Sequence, residues 1–409
     1  MALQWYDYVL LADLLLVTYV GVFYLMLYLE NKDSLGENRS KSKRIPKLSV
    51  IIPAYNEKDS IGTILDNIRN VEYPRDKLEY IIVDDGSSDG TLEKLKRSAK
   101  IRGRNVRILG KKHSGKASSV NFGVRLAKGE LVAVVDADTL LSKNALLRCA
   151  EYFDKDDVAS VTANILVRNK KKIFERWQDI EFKIVSITRK VKEDLNLIDG
   201  TPGPLSVYRK NILMKVGLFD EKILTEDIEI AWRLLDNGYK IRMAYDAVAR
   251  TIYPDNLVGW IKQRVRWQIG WFQTVMKYSK TAFRKHPVGT FMFPISILSL
   301  VLQLSLIGIL FYLLGYSIIL NYLYISGTVS AGIFPILQLN FYPDLYTFYG
   351  ILLLSLSALV ALSMLKQFEK MPKAIDFATF MMVYFYLFIP VLVYSSIKLL
   401  LNKYSWGTK

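Results

Sequence analysis

The sequence predicts an α/β domain combined with an α-helical transmembrane region. Strand-like runs alternate with helical patterns over residues 47–138, which is typical of a parallel sheet covered by helices. Polar motifs follow several of these strands. Long apolar segments stand near both ends of the chain, and each is close to the roughly 20 residues that cross a bilayer.

The first apolar segment, YVLLADLLLVTYVGVFYLMLYL, lies within the first predicted domain, residues 1–30. It lacks the basic n-region and small-residue cleavage site of a secretory signal, so we interpret it as a transmembrane helix. Asp13 would cost about 2.5–3.5 kcal/mol near the bilayer centre on insertion scales. We therefore expect Asp13 to face other helices or the lipid headgroups.

The net charge is +16, with 55 Lys and Arg against 39 Asp and Glu. The basic residues are concentrated in a linker, residues 31–46, directly after the first span, and in the middle domain. This is the positive-inside pattern, so it favours a membrane over a nucleic acid as partner and places the catalytic domain in the cytoplasm. We predict a multi-pass protein of the cell membrane.

Few residues are available for thiol or imidazole chemistry. The single cysteine, Cys149, excludes an internal disulfide, and His113 and His286 are the only two histidines. This composition argues against a histidine-centred catalytic triad and against a histidine-rich zinc site.

The middle domain, residues 47–258, contains the strand-like runs LSVIIPAY, LEYIIVDD, VRILG and LVAVVDAD. Helical patterns lie between them at about residues 60–70, 91–102 and 116–127. Buried β-rich runs separated by helices indicate a largely parallel sheet with helices on both faces. Such sheets bind ligands beyond the carboxyl ends of their strands.

Polar motifs follow three of these strands. They are PAYNE, then VDDGSSDGT with Asp84 and Asp85, then VDADT with Asp136 and Asp138. Two carboxylates at the VDADT spacing can hold a hard divalent cation that also binds phosphate oxygens. In isolation, VDDGSSDGT and VDADT are each more typical of an Asp-rich turn than of a binding site. Their ordered occurrence at successive strand ends favours a binding site.

Two helix starts carry charged groups. In KKHSGKASSVNFG, Lys116 follows Gly115 at a helix start, where backbone donors and an ammonium suit an anion. The alternative is an ordinary solvated lysine, and the P-loop pattern is absent. In ILTEDIEIAWRLLDNGY, Thr225 is a candidate N-cap followed by Glu226 and Asp227. This arrangement is explained by helix capping alone, but it also presents a carboxylate suited to a general base.

The stretch LVGWIKQRVRWQIGWFQ predicts a helix on which Gln263, Arg266 and Trp267 share one face. That face offers an amide, a cation and an aromatic ring to one ligand. Trp260, Trp267 and Trp271 also form one stripe. The alternative is therefore a helix that lies on a lipid surface.

Taken together, PAYNE, VDDGS, SGKASSVN, VDADT, GPLSVYR, TED and QRVRW resemble the membrane-bound, cellulose-synthase-like branch of the family 2 glycosyltransferases, which has a D, D, D, QxxRW signature. That branch includes cellulose, chitin, hyaluronan and poly-N-acetylglucosamine synthases, and it is similar to dolichyl-phosphate mannosyltransferases with a reduced membrane domain. The resemblance covers about residues 47–275. It implies a GT-A nucleotide-sugar-binding fold and an inverting transfer that depends on Mn²⁺ or Mg²⁺.

The resemblance also implies residue roles. Asp227 would be the general base, with Glu226 beside it in the catalytic pair. Asp138 and Asp136 would bind the metal ion. The acceptor would contact Trp267, Gly203 and Pro204. The groups that would bind the donor are Pro53, Tyr55, Glu57, Asp84, Asp85, Lys116, Asp136, Gln263, Arg264 and Arg266.

The remaining chain is predicted as an interfacial helix with QxxRW, residues 259–287, and a membrane region, residues 288–409. This region would contain about three spans and an interfacial segment near residues 366–377. Val288–Gly327 is either one span or a span with a re-entrant piece. FERWQDIEFKIVSITRKVKED is a further candidate interfacial helix. About four spans hardly enclose a polysaccharide, but they can form an open groove for a lipid tail.

We therefore expect a distributive enzyme that moves a hexose to a polyprenyl- or dolichyl-phosphate-linked acceptor in glycan biosynthesis, such as protein N-glycosylation. The expected donor is GDP-mannose. The alternative is a processive synthase of poly-N-acetylglucosamine or hyaluronan type that uses a UDP-sugar. A third hypothesis is a non-catalytic sugar-nucleotide-binding membrane protein. The oligomeric state is left open.

Overall fold

A computed structural model describes residues 4–35, 44–98, 105–284, 286–330 and 345–401 of the chain. The chain divides into two compact units. One contains Met1–Met26 and Pro294–Ser363, and the other contains Leu27–Phe293 and Met364–Lys409. The larger unit holds the sheet and all of the predicted site motifs.

The centre of the larger unit is an eight-stranded mixed sheet with the order β3-β2-β1-β4-β7-β6-β8-β5. Strands β1 to β4 pair in parallel, whereas β7 is antiparallel to both β4 and β6. β6 and β8 are parallel, and β5 is antiparallel to β8. The strands are β1 (Leu48–Ala54), β2 (Leu78–Asp84), β3 (Asn105–Gly110), β4 (Leu131–Val134), β5 (Leu140–Leu141), β6 (Val158–Val167), β7 (Ser206–Arg209) and β8 (Lys240–Thr251).

Thirteen α-helices are present in the described residues. They are α1 (Trp5–Asn31), α2 (Ile61–Asn70), α3 (Thr91–Ser98), α4 (Lys116–Leu126), α5 (Ala145–Ala150), α6 (Ile173–Val191), α7 (Lys210–Lys215), α8 (Glu226–Asp236), α9 (Leu257–Lys277), α10 (Phe293–Ser330), α11 (Leu345–Leu365), α12 (Ala374–Val383) and α13 (Phe388–Leu400). The α/β class and the first four predicted strands are confirmed. The predicted helices at residues 60–70 and 116–127 correspond to α2 and α4. α3 begins as predicted and is described to Ser98, beyond which the predicted end lies outside the described residues.

The packing of the core explains why the sequences of these strands are continuous runs of apolar residues. Side chains of β1 alternate between the two faces of the sheet, so Val50 and Ile52 pack on the same side as Ile64 of α2. Ile51 points to the opposite face and packs in a second cluster with Val120 of α4. Because helices cover both faces, the strand needs apolar residues at consecutive positions. Burying each such side chain contributes about 1.5–3 kcal/mol.

Among the residues that the structure describes, three helical segments are long and apolar enough to cross a membrane by length and composition: Trp5–Asn31, Val288–Gly327 and Ala374–Leu399. A shorter apolar helix covers Gly350–Leu365. Val288–Gly327 is one continuous helical run, in which a π-helical turn leads into α10. Of the two predicted alternatives for this segment, the structure therefore shows the single helix.

A polar contact joins two apolar helices of the smaller unit. The Ser305 hydroxyl of α10 donates to Asp13 Oδ2 of α1 at 3.0 Å, and Asp13 is buried. Asp13 therefore faces another helix, as expected from the cost of exposing a carboxylate to lipid.

The C-terminal apolar segment belongs to the larger unit. A 3₁₀ turn, Tyr384–Leu387, separates α12 from α13. The segment packs on α6, where Arg176 Nε donates to Asp376 at 2.9 Å and Trp177 Nε1 donates to Thr379 Oγ1 at 2.9 Å. α6 therefore supports the sheet on one side and contacts α12 on the other. Its interfacial role stays a prediction.

Candidate active site

A cavity of about 370 Å³ lies beyond the end of β4. Its walls come from the start of α4, the turn after β4, one face of α6, the loop before β7, the start of α8, the end of β8, and α9. The predicted site residues that line it are Lys116, Asp136, Asp138, Gly203, Pro204, Glu226, Asp227, Gln263, Arg264, Arg266 and Trp267. The structure therefore collects motifs that are more than 100 positions apart.

Lys116 stands between two carboxylates at the start of α4. Its Nζ lies 2.5 Å from Asp136 Oδ1 and 3.4 Å from Glu226 Oε1. Burial alone lowers the pKa of this ammonium, but the charges of Asp136 and Glu226 outweigh burial and raise it. Lys116 is therefore a permanent cation and not the ordinary solvated lysine of the alternative interpretation.

Gly203 allows the loop before β7 to pass close to this ion pair. A Cβ at this position would lie 2.4 Å from Lys116 Nζ and 3.0 Å from Asp136 Oδ2. Any larger residue must therefore displace the lysine or the carboxylate. This close approach gives a physical reason for glycine in the GPLSVYR motif.

Asp138 is the second carboxylate after β4. Its Oδ1 accepts a hydrogen bond from Thr251 Oγ1 at 2.9 Å. Burial and the nearby charge of Asp136 raise the pKa of Asp138 to about 6, although the Thr251 hydrogen bond opposes the shift. A carboxylate whose pKa is raised by a neighbouring carboxylate is placed as a cation site requires.

Oxygen donors of this kind suit Mn²⁺ or Mg²⁺, since both ions prefer carboxylate and phosphate ligands. Within the described residues, no group of three or more His, Cys, Asp or Glu side chains is placed to hold a metal ion. Asp136 and Asp138 alone would leave most of an octahedral shell open. These residues fit a cation that takes its other ligands from a bound diphosphate or from water.

Asp227 occupies the first turn of α8. The backbone N–H and the hydroxyl of Thr201 both donate to the Asp227 carbonyl, at 3.1 and 2.8 Å, which fixes the backbone at this point. Burial and the charge of Glu226 raise the pKa of Asp227 to about 6, against the opposing charges of Lys116 and Arg266. At neutral pH the carboxyl group is therefore mostly ionised but binds a proton more readily than an ordinary aspartate does, which suits a general base.

The capping prediction for α8 is confirmed only in part. Thr225 occupies the N-cap position, but its hydroxyl does not cap the helix. Thr225 instead packs against Gly270 of α9, where a Cβ would lie 2.2 Å from Thr225 Oγ1. Gly238 follows the helix with φ of +80°, a left-handed conformation that suits glycine at the C-terminal end of a helix. The contact with Gly270 brings α8 and α9 close together at the cavity.

QRVRW lies on α9, and Gln263, Arg266 and Trp267 all line the cavity, as their predicted common face requires. Arg266 Nη1 makes a long hydrogen bond of 3.5 Å to the Leu224 carbonyl. Trp260 is completely buried in protein, so the alternative of one lipid-facing tryptophan stripe is wrong.

Arg264 has a different environment from Arg266. Its Nη2 lies 2.6 Å from Glu181 Oε2 of α6, and its guanidinium lies 4.4 Å from the ring centre of Trp267. Arg264 is buried and its charge is already paired. Its predicted contact with the donor diphosphate stays a prediction.

The predicted nucleotide-binding residues of β1 and β2 lie outside the cavity lining. Pro53 is in β1 opposite Val83. Tyr55, which follows β1, stacks on His113 with a ring-centre distance of 4.2 Å. Glu57 accepts a hydrogen bond of 2.5 Å from the Ser60 hydroxyl.

Two adjacent aspartates end β2 and differ in their surroundings. Asp84 Oδ2 accepts from the Ser87 N–H at 3.1 Å, and its buried Oδ1 has no partner among the described residues. Asp85 is bound by Lys111 Nζ at 2.6 Å and by the Gly115 N–H at 2.8 Å. Burial raises the pKa of Asp85, but these hydrogen bonds outweigh it and lower the pKa. Asp85 therefore stabilises the loop that leads to Lys116, whereas Asp84 Oδ1 is able to accept a further hydrogen bond.

Sequence reasoning missed several residues of this site. Glu181, Phe182, Val185 and Arg189 line the cavity from one face of α6. The last three lie one, four and eight positions after Glu181, so all four share one face of the helix. The segment was predicted only as an interfacial helix. The unusual signal was a glutamate and an arginine on the otherwise apolar face of that stripe.

Comparisons with known proteins agree with this architecture. Residues 49–217 match the family described as Glycosyl transferase family 2. A poly-β-1,6-N-acetyl-D-glucosamine synthase of Staphylococcus aureus (strain MSSA476) is 29% identical over 317 residues, covering 75% of this chain and 76% of the relative. The corresponding synthase of Staphylococcus epidermidis is 28% identical over 310 residues, covering 74% of each protein.

A solved structure shares the fold over most of the chain. It is the mannosyltransferase PcManGT from Pyrobaculum calidifontis in complex with GDP-Man and Mn²⁺. The TM-score is 0.62 at 22% identity, with 97% of this chain and 100% of the other chain covered. This similarity shows the fold alone.

The larger unit is therefore a GT-A domain, the fold of nucleotide-sugar transferases, and the chain is a glycosyltransferase. Residues 49–217 match glycosyltransferase family 2, and the chain is similar over three quarters of its length to poly-β-1,6-N-acetyl-D-glucosamine synthases. The hypothesis of a non-catalytic binding protein is set aside.

Proposed function

We propose that this enzyme transfers a sugar from a nucleotide donor to an acceptor hydroxyl with inversion, and that Asp227 is the general base. The observation that carries this proposal is the position of Asp227 on the cavity wall with its pKa raised to about 6. Its carboxylate takes the proton of the acceptor hydroxyl as the oxygen attacks the anomeric carbon. Such a positioned base contributes about 10²–10⁴-fold to the rate.

The leaving nucleoside diphosphate gains negative charge during this step. Lys116 supplies a permanent cation at the centre of the cavity, and Arg266 supplies a guanidinium that makes no ion pair with the described residues. Asp138 and Asp136 would hold Mn²⁺ or Mg²⁺, which supplies Lewis-acid stabilisation to the diphosphate when bound. Trp267 offers a ring for the acceptor sugar, beside the Gly203 and Pro204 backbone.

The donor that we propose is UDP-N-acetylglucosamine, and the product is a β-linked polymer. The support is the identity of 29% over three quarters of the chain to proteins named poly-β-1,6-N-acetyl-D-glucosamine synthases. This was the alternative at the level of sequence, and the relatives favour it over the mannose interpretation. We propose a multi-pass arrangement in the cell membrane, with the catalytic domain in the cytoplasm.

A second candidate is transfer of mannose from GDP-mannose to a polyprenyl- or dolichyl-phosphate-linked acceptor. The observation that favours it is the small membrane region, since the described residues contain three helices long and apolar enough to span. A few spans suit a groove for one lipid tail better than a closed channel for a polymer.

The experiment is a transfer assay with a panel of labelled UDP- and GDP-sugars, purified enzyme in lipid, and Mn²⁺. Wild type is compared with Asp227→Asn. Label from UDP-N-acetylglucosamine in a ladder of long, water-soluble chains supports the proposal. Label from GDP-mannose in a short, organic-extractable product supports the second candidate and contradicts the first. Transfer that persists in Asp227→Asn removes Asp227 from its role as base.

A further inference from the structure

Tyr384 connects the C-terminal apolar segment to the cavity. It lies in the 3₁₀ turn between α12 and α13, and only 1% of its surface is exposed. Its hydroxyl donates to Glu181 Oε2 at 2.7 Å and accepts from Trp260 Nε1 at 2.8 Å. Arg264 Nη2 donates to the same hydroxyl at 3.2 Å. One side chain of the apolar segment therefore contacts both α6 and α9.

These four residues form a buried network that we call the Tyr384 network: Glu181, Trp260, Arg264 and Tyr384. Further hydrogen bonds to its polar atoms offset part of the cost of removing an ion pair from water. Here Glu181 Oε2 accepts from Arg264 at 2.6 Å as well as from Tyr384. The Tyr384 hydroxyl is therefore part of the compensation for the Arg264–Glu181 pair.

Aromatic rings surround the arginine on several sides. The Arg264 guanidinium lies 4.4 Å from the ring centre of Trp267, 5.5 Å from that of Trp260 and 5.7 Å from that of Phe388. Such cation–π contacts require a fixed guanidinium. Because Trp267 lines the cavity, a displacement of Arg264 would change the orientation of a ring at the reaction site.

Gln263 precedes Arg264 on α9 and also lines the cavity, as do Arg264 and Glu181 themselves. The network thus fixes the rotation of α9 at the QRVRW motif. Small shifts of groups that orient a substrate reduce turnover strongly, even when the shifted residue is remote from the bond that breaks.

We propose that Tyr384 and Glu181 are positioning residues for the glycosyl transfer. They hold Arg264 in place, and through Arg264 they orient Trp267 toward the acceptor. The inference rests on the proposed function, because it assigns the acceptor to Trp267. Arg264 is then a support for the acceptor site and not a ligand of the donor diphosphate. The C-terminal segment, which is long and apolar enough to cross a membrane, is part of the active-site structure.

The test compares Tyr384→Phe with Tyr386→Phe. The first removes one hydroxyl and keeps the buried ring, and the second removes a hydroxyl from an exposed residue of the same turn, since 68% of Tyr386 is exposed. We expect Tyr384→Phe to raise the acceptor KM or lower kcat by about tenfold, since a hydrogen bond to a charged group is lost. UDP affinity should stay within about twofold of wild type, because the diphosphate contacts lie elsewhere. Tyr386→Phe should match wild type in all three values.

A double-mutant cycle with Glu181→Gln adds a second readout. If the two residues act through one network, the double variant loses little more activity than the more damaged single variant. Additive losses contradict the network. The positioning role of Tyr384 is also contradicted if Tyr384→Phe and wild type have equal kinetics. A variant that loses thermal stability but keeps KM and kcat contradicts it as well, because the role of Tyr384 is then only structural.

Arg264→Lys decides between the two roles of the arginine. If Arg264 binds the diphosphate directly, this variant loses UDP affinity while Tyr384→Phe does not, and the inference is wrong. If Arg264 is a support, both variants change the acceptor kinetics and keep UDP affinity.

If wild type transfers no sugar of the panel, the proposed function is wrong. The near-ultraviolet circular dichroism of the tryptophans then tests whether Tyr384 positions the aromatic side chains around Arg264. Tyr384→Phe must then change that spectrum and Tyr386→Phe must not.

Discussion

The cavity has two walls that carry their charges in different ways. The carboxylate wall consists of Lys116, Asp136, Asp138, Glu226 and Asp227. The aromatic wall consists of Glu181, Phe182, Tyr253, Arg264 and Trp267.

On the carboxylate wall, burial and mutual repulsion raise the pKa values of Asp138 and Asp227 to about 6. On the aromatic wall, the Arg264–Glu181 pair is closed at 2.6 Å and surrounded by rings. Groups whose protonation is perturbed are suited to chemistry, whereas charges that neutralise each other fix geometry. We therefore expect replacements on the carboxylate wall to remove the reaction, and replacements on the aromatic wall to weaken the fit of the acceptor.

The largest effect should come from Asp227→Asn. The amide keeps the size of the side chain but cannot accept the proton of the acceptor hydroxyl, so kcat should fall by about 10²–10⁴-fold. UDP affinity, measured by calorimetry, should stay within about twofold. Asp236→Asn, at the other end of α8, is the matched control and should retain wild-type transfer. If UDP affinity falls in parallel with kcat, Asp227 belongs to the donor site and the contrast between the walls is lost.

Asp138→Asn should produce the next largest loss, about 10²-fold in transfer at fixed Mn²⁺ concentration, because one charged ligand of a hard cation becomes a neutral amide. Calorimetry of UDP with and without Mn²⁺ checks the cause. Wild type should bind UDP more tightly with Mn²⁺, and the variant should lose most of that difference. Thr251→Val removes only the hydrogen bond to Asp138 and serves as the milder comparison. An undiminished Mn²⁺ effect in Asp138→Asn would move the metal site elsewhere.

The carboxylate wall could be predicted from the sequence because its residues follow directly from local rules. Strands buried on both faces give continuous apolar runs, as in β1 and β2, and a parallel sheet places the residues after each strand at one edge. Asp136 and Asp138 were therefore recognisable from the four residues of β4 that precede them. Asp227 was recognisable as the first turn of a helix with a clear start and end.

The helix that carries Arg264 and Trp267 was predicted, but the contacts that support the aromatic wall could not be predicted in the same way. The contacts of Asp376, Thr379 and Tyr384 join residues 200, 202 and 203 positions apart along the chain. No local period encodes such pairs, and an apolar composition is the same for a helix in lipid and for one packed on protein. The antiparallel pairing of β7 also lay beyond local patterns, because register depends on partners far away in the chain.

The pH dependence sharpens the assignment of the base. Asp227 must be deprotonated to act, and its pKa is about 6, so kcat/KM should fall about tenfold per unit as pH drops below about 6. The effect on stability has the opposite sign. The folded state binds this proton more tightly than the unfolded state, so the group stabilises the fold at low pH and loses that contribution as pH rises through about 6.

The measurement is a profile of kcat/KM between pH 5 and 8, recorded with wild type and Tyr384→Phe. Both profiles should bend at the same pH, because Tyr384 belongs to the support of the aromatic wall. A bend that moves by one unit in Tyr384→Phe would show that the two walls are electrostatically coupled. The carboxylate wall and the aromatic wall would then not have separate roles in catalysis and in positioning the acceptor.

The smallest effect should come from Gly203→Ala. The added Cβ would lie 2.4 Å from Lys116 Nζ and 3.0 Å from Asp136 Oδ2, but Nζ is the mobile end of a long side chain and can be displaced without moving the backbone. We expect a donor KM about three- to tenfold higher with nearly unchanged thermal stability, since a displaced ammonium weakens its contact with an anionic donor. Gly62→Ala, where a Cβ meets only the Lys94 side chain at 3.6 Å, is the control and should leave kinetics unchanged. A change confined to the acceptor KM would instead place Gly203 against the acceptor, as the resemblance implied. The acceptor site would then extend from the aromatic wall to the carboxylate wall.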